Sequence, residues 1–161
     1  MTIKVGDRLP QATFKTMTPD GVKPVTTDEA FGGRKVVFFA VPGAFTPTCH
    51  KNHLPGYLAK AAEIKAKGVD AILATSANDV FVLDAWSKAT GAAGILEFLA
   101  DGNADFAKEI GLSMDGSGFG MGTRSQRYSM LIEDGVVKSL NVEEAPGKAD
   151  ASGAETMLGQ L

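Results

Sequence analysis

A single cysteine, Cys49, stands among 161 residues. That excludes an intrachain disulfide and any metal site built from several thiolates. An excess of positive charge is also missing, since 16 Lys and Arg face 19 Asp and Glu for a net charge of −3. Nothing in that balance points to an electrostatic hold on nucleic acid or on an anionic membrane surface. No apolar run approaches the ~18 residues that a membrane-spanning helix needs. The opening stretch, MTIKVGDRLPQATF, lacks the apolar segment and small-residue cleavage site of a secretory leader. Internal repeats, low-complexity tracts and long linkers are absent, so one domain over residues 1–161 is expected. With 44% hydrophobic and 22% charged side chains, the chain has the makeup of a compact domain with a sizeable core. The expectation is an intracellular protein, placed in the cytoplasm.

What is present is a regular change of element type. The first third reads as strands and turns, broken at Pro19-Asp20-Gly21 and Gly32-Gly33. Residues 36–41, VVFFAV, form an unbroken apolar run of β-branched and aromatic side chains, the pattern of a strand covered on both faces. A helix is expected over 47–67, with Gly68 as its stop. Residues 69–76 predict the next strand. Asn78-Asp79 can then cap a helix to about Thr90, with Val82, Leu83, Ala85, Trp86 and Ala89 on its buried side. A short strand at 95–100 and a short helix at 104–110 follow. Residues 127–132 and 136–142 flank Asp134-Gly135, a two-residue hairpin signal, and a last helix fits 151–161. This order predicts the α/β class: a thioredoxin-like fold, with a mixed central sheet flanked by helices on both faces.

The chemistry concentrates in residues 41–56, VPGAFTPTCHKNHLPG. Thr46 is a favoured N-cap and Pro47 a favoured first helical residue, so a helix should start between them. Cys49 then falls in the first turn, where unpaired backbone N–H groups and the positive end of the helix dipole favour a side-chain anion. Pro55 cannot donate to this helix and should bend or restart it, leaving the cysteine on a short leading turn. A free cysteine is most often a small buried hydrophobe. In this position it reads as a nucleophile, because a helix N-terminus is one of the settings that lower a cysteine pKa. Ionisation alone gains little: a thiol at its ordinary pKa is roughly 3% ionised at pH 7, so full ionisation is worth about thirtyfold. Further groups must stabilise charge at the reacting centre. Thr46, three residues before Cys49, can reach the same pocket, and an arginine from GTRSQRYSMLI, residues 122–132, can supply a cation.

These residues carry a family resemblance. Pro42-x-x-x-Thr46-x-x-Cys49 is similar to the active-site pattern of the peroxiredoxins, and its longer form, VPGAFTPTC followed by HLPGY, resembles the type II, or peroxiredoxin-five-like, subfamily. The likeness continues through DAILATSANDVFVLDAW, FLADGNADFAKEIGL and GTRSQRYSMLIEDGVV and covers nearly the whole chain. It implies a thiol peroxidase that reduces hydrogen peroxide and alkyl hydroperoxides without metal or organic cofactor. Cys49 would be the peroxidatic cysteine, oxidised to a sulfenic acid. Thr46 would hydrogen-bond the peroxide, Arg127 would stabilise the thiolate and polarise the O–O bond, and Pro42 would shield the sulfur from water. The backbone N–H groups of Gly43 and Cys49 would bind peroxide oxygens. A homodimer is also implied, formed around the active-site loop and the helix after the second strand, where Phe45, Val80, Phe81 and Trp86 could otherwise be simple core. In one respect the chain departs from many relatives: Ala74 and about Ala151 occupy the places where plant and animal members carry a second cysteine. An external thiol must therefore recycle Cys49, with glutathione and glutaredoxin the first choice and thioredoxin the next.

Three further signals have ordinary readings. His50 and His53 could share a ligand, but no third metal ligand accompanies them; His53 has room for an electrostatic role near Cys49. Gly116, Gly118, Gly120 and Gly122 miss the spacing of a phosphate-binding loop and read as a flexible loop before the Arg127 strand. Arg124 fits a solvated side chain and a supporting one equally well. Two other functions use the same sulfur. A disulfide exchanger lacks its Cys-x-x-Cys partner, and a peroxide sensor or redox-regulated chaperone would be oxidised once and stop.

Overall fold

The computed structural model describes residues 2–145 and 147–161. Nine strands and five α-helices follow one another among them as β1 Thr13–Thr18, β2 Gly21–Thr26, α1 Thr27–Phe31, β3 Lys35–Ala40, α2 Leu54–Ala66, β4 Ala71–Ser76, α3 Val80–Thr90, β5 Glu97–Ala100, α4 Asp105–Glu109, β6 Ser113–Asp115, β7 Thr123–Ser125, β8 Tyr128–Glu133, β9 Val136–Val142 and α5 Ala154–Leu158. Seven strands share a sheet in the order β2-β1-β5-β4-β3-β8-β9. β3 runs parallel to β4 and antiparallel to β8, so the sheet is mixed, with β4 at its centre and β3 beside it.

The apolar run in β3 divides by alternation, because successive side chains leave opposite faces of a strand. Val37, Phe39 and Val41 join Leu54, Tyr57 and Ile64 of α2, Leu83 and Trp86 of α3, and Met157 of α5. Val36, Phe38 and Ala40 pack on the other face with Phe31 of α1 and Phe106 of α4. Helices thus cover both faces, as the thioredoxin-like reading expects. No helix among the described residues is long and apolar enough to cross a membrane.

Four expectations need correction. The first third also contains α1, held by a capping box in which Thr26 and Glu29 satisfy each other's backbone N–H groups. Its T-x-x-E signature was readable. On α3, Ala85 and Ala89 are exposed, while Val80, Leu83, Trp86 and Ser87 face inward. The helix buries the rows spaced three and four from Val80, and the small apolar residues fall opposite. The last helix is confined to Ala154–Leu158, since the N–H groups of Ala151 and Ser152 are taken by the Glu143 carboxylate. Finally, the glycine-rich stretch closes into a hairpin of β6 and β7 around a short 3₁₀ turn at Ser117–Phe119. The Asp134-Gly135 turn forms as expected, both residues taking positive φ (48° and 77°), which matches a type I′ connection.

Candidate active site

β3 ends at Ala40 and delivers the chain to a loop stitched at several points. The Val41 N–H donates to the Thr75 carbonyl at 3.1 Å. The Ala44 N–H donates to Asn78 Oδ1 at 2.8 Å, and Ser76 Oγ donates to the same oxygen. Of the Asn78-Asp79 pair, Asp79 caps α3 through the Val82 N–H, which frees Asn78 to hold the loop. Phe45 adopts a left-handed φ of 65°, and the chain becomes helical at Pro47. Thr46 occupies the N-cap position, its carbonyl accepting from the His50 N–H. Its hydroxyl does not cap the helix: it donates back to the Gly43 carbonyl at 2.7 Å.

Cys49 lies in the first helical turn and is fully buried, at 0% exposure. From Cys49 to His53 the chain forms a π-helical turn in which the Leu54 N–H bonds the Cys49 carbonyl. Pro55 accounts for it. Its ring crowds the carbonyl four residues earlier and it has no N–H to give, so a widened turn absorbs the mismatch before α2 resumes. The expected short leading turn is therefore present, and its wide geometry sets Cys49 and His53 on the same inner side.

Arg127 reaches them from the approach to β8 and is 2% exposed. Its Nη2 donates to Cys49 Sγ at 3.0 Å, and its Nη1 stands 2.9 Å from His53 Nδ1. A guanidinium can only donate, so His53 Nδ1 accepts and the ring proton sits on Nε2. That nitrogen donates to the Ser152 carbonyl at 3.0 Å. Burial, then the Arg127 charge, lowers the His53 pKa to about 3, so the ring is neutral at physiological pH. Tyr57 donates its hydroxyl to the same Ser152 carbonyl at 2.7 Å and stacks on Phe39 with ring centroids 4.1 Å apart. Glu143 receives the Ser152 and Ala151 N–H groups. Burial pushes its carboxyl up, but these bonds and that of the Ser152 hydroxyl outweigh it and hold it below the usual carboxylate range. Glu143, Ser152 and His53 thus form a chain of contacts ending on the arginine.

A cavity of about 310 Å³ opens beside this assembly, walled by Pro42, Thr46, Thr48, Phe119, Arg124 and Arg127, among others. Thr46, Arg127 and Pro42, all singled out in the sequence, line this cavity, and Cys49, singled out with them, is joined to it through Arg127. Gly43 is buried and, like Cys49, does not line the cavity; the first-turn residues that do are Pro47 and Thr48. His50 and His53 separate into different networks, because His50 Nδ1 accepts from Trp86 Nε1 at 3.0 Å beneath the Phe45 ring. Glu143 and Ser152 carried no motif that marked them, while Asn78 was read only as a helix cap and Tyr57 only as part of HLPGY.

The Redoxin family profile matches residues 4–158. Peroxiredoxin-2E-2, chloroplastic, of Oryza sativa subsp. japonica is 52% identical over 99% of this chain and 73% of its own length. Hybrid peroxiredoxin hyPrx5 of Haemophilus influenzae is 42% identical over 100% of this chain and 67% of its own. A crystal structure of reduced Prx3 in complex with H2O2 from Vibrio vulnificus superposes with a TM-score of 0.93 at 53% identity, covering 99% of each chain. By descent and by architecture, the chain belongs to the Redoxin family and, within it, to the peroxiredoxins, the thiol-dependent peroxidases.

Proposed function

We propose that this peroxidase reduces hydrogen peroxide and alkyl hydroperoxides at Cys49 and is recycled by a thiol from outside the chain. The observation that carries the reading is the guanidinium of Arg127, which lines an open cavity, donating to the fully buried Cys49 sulfur. The thiolate attacks the terminal peroxide oxygen. An S–O bond forms as the O–O bond breaks, the transferred oxygen keeps its proton as the sulfenic acid, and the departing alkoxide or hydroxide takes a proton from solvent. Arg127 stabilises charge both on the sulfur and on the breaking bond. Because the Thr46 hydroxyl hydrogen is committed to Gly43, its lone pairs accept the peroxide O–H. Pro42 keeps water from the sulfur. The Cys49 N–H, with that of Thr48 in the same first turn, meets the peroxide oxygens. The Gly43 N–H is a further donor to the peroxide in this reading, and the Gly43 carbonyl orients Thr46.

One thiol condenses with the sulfenic acid, releasing water and leaving a mixed disulfide, and a second thiol releases Cys49. We take glutathione with glutaredoxin as the first donor and thioredoxin as the second, and the cytoplasm as the compartment supplying them. A homodimer completes the reading: Phe45 and Phe81 are 48% and 65% exposed, and Phe81 shares the outer face of α3 with Ala85 and Ala89. Peroxide consumption measured with the glutathione–glutaredoxin couple, and separately with the thioredoxin couple, tests the cycle. Sustained turnover with the first supports it. A single equivalent of peroxide consumed with either couple would overturn it in favour of a sensor.

A further inference from the structure

Arg124 lies on β7, opposite Met114 of β6, in the hairpin that stands apart from the main sheet. Its guanidinium holds two carbonyls from distant parts of the chain. Nε donates to the Met121 carbonyl within the hairpin at 2.9 Å, and Nη1 donates to the Pro42 carbonyl of the active-site loop at 3.3 Å. Space for the guanidinium is made by Gly43, while Gly116 lets the two strands of the hairpin close. A Cβ on Gly43 would stand 2.9 Å from Arg124 Nη1 and 3.1 Å from Thr46 Cγ2. A Cβ on Gly116 would stand 2.9 Å from the Gly122 carbonyl oxygen and 3.5 Å from Arg124 Cγ. The planar fork therefore lies against bare backbone, a fit that neither a lysine ammonium nor a bulkier loop reproduces.

The hairpin that Arg124 fastens supplies Met114, Phe119 and Met121 to the cavity, facing Pro42, Thr46 and Arg127. Phe119, at its tip, is 82% exposed. We infer that Arg124 is a positioning residue: it clamps the β6–β7 hairpin onto the Pro42 loop and so builds the apolar wall that receives the organic group of a hydroperoxide. It acts on which substrate is held and leaves the sulfur chemistry alone, since Arg127 and Thr46 reach the reacting centre without it. Hydrogen peroxide has no organic group and does not use this wall. The inference rests on the peroxidase reading above and adds to it the element that sets preference among hydroperoxides.

The test compares second-order constants for Cys49 oxidation by cumene hydroperoxide and by hydrogen peroxide, alongside the rate of alkylation by iodoacetamide. In Arg124→Met the cumene-to-hydrogen-peroxide ratio should fall about tenfold, the scale of a lost apolar contact in a substrate pocket, with alkylation unchanged. Arg124→Lys, which grips one carbonyl at most, should recover part of the ratio. An unchanged ratio in Arg124→Met, or equal losses with both peroxides, would overturn the inference while leaving the peroxidase reading intact. A loss of alkylation in parallel would also overturn it, because Arg124 would then act on the sulfur. Failure of the unaltered protein to react with either peroxide would sink the peroxidase reading itself.

Discussion

Arg127 and Cys49 are 78 residues apart in the chain and 3.0 Å apart in space, guanidinium Nη2 to sulfur. The same guanidinium is steadied from behind by His53, itself only four residues beyond the cysteine in the π-helical turn. One wide turn thus presents both the proposed nucleophile and the residue that contacts its cation.

Arg127→Ala should lower the rate of Cys49 oxidation by hydrogen peroxide by ~10²–10³, as expected for removal of a transition-state donor. Alkylation by iodoacetamide, which needs the anion but no O–O bond, should fall by much less. Equal losses in the two assays would confine Arg127 to stabilising the anion.

Thr46→Val should cost about tenfold or more in peroxide reactivity, the scale of one hydrogen bond lost at a buried site, while Thr46→Ser keeps most of it. Valine matches the threonine shape, so packing is conserved and the hydroxyl is isolated. Similar damage from both substitutions would assign Thr46 to packing of the loop.

Stability should decline below neutral pH through His53. Its pKa is about 3 in the folded protein and about 6.5 when the chain is unfolded, so between these values the unfolded state binds a proton that the folded state refuses. The stabilisation is complete above pH ~6.5 and is lost as pH falls toward ~3, at up to about 1.4 kcal/mol per pH unit. Thermal melts from pH 7 to pH 5 should show this slope, and His53→Gln should flatten it. A slope as steep in the variant would place the proton uptake elsewhere.

Phe81→Glu should yield a monomer by sedimentation velocity if the outer face of α3 joins two copies. The side chain is already 65% exposed, so the folded protomer should melt within a few degrees of the parent. A dimer that survives the substitution would move the interface away from this helix.

Peroxide clearance should vanish in Cys49→Ser, because the chain holds no other thiol and a serine hydroxyl stays un-ionised near neutral pH. Measured consumption with the glutaredoxin couple checks this directly, and residual turnover would relocate the chemistry.

The strands of the main sheet and the leading turn were legible from residue order, while the β6–β7 hairpin was not. VVFFAV reads as a doubly covered strand because its neighbours on both faces are apolar, and Asp134-Gly135 reads as a tight turn because positive φ is cheap at those residues. The start of the helix after Thr46 and its interruption near Pro55 were local too, since capping and the missing proline N–H act within one or two turns. Which side of α3 faces inward was misjudged at Ala85 and Ala89, because small apolar residues are neutral between core and solvent and the sheet decides between them.

Local order thus specified the cysteine's turn and the strand that leads into it, because caps, prolines and alternation act over a few residues. It did not specify which groups close around that sulfur. Asn78 reads as a second cap until β4 and the Pro42 loop lie side by side; Glu143 and Ser152 carry no motif and acquire meaning when β9 and the segment before α5 converge on His53. Hydrogen bonds and charge act over a few ångströms, so partners separated by tens of residues are chosen by the packing of the sheet and not by their neighbours in the chain.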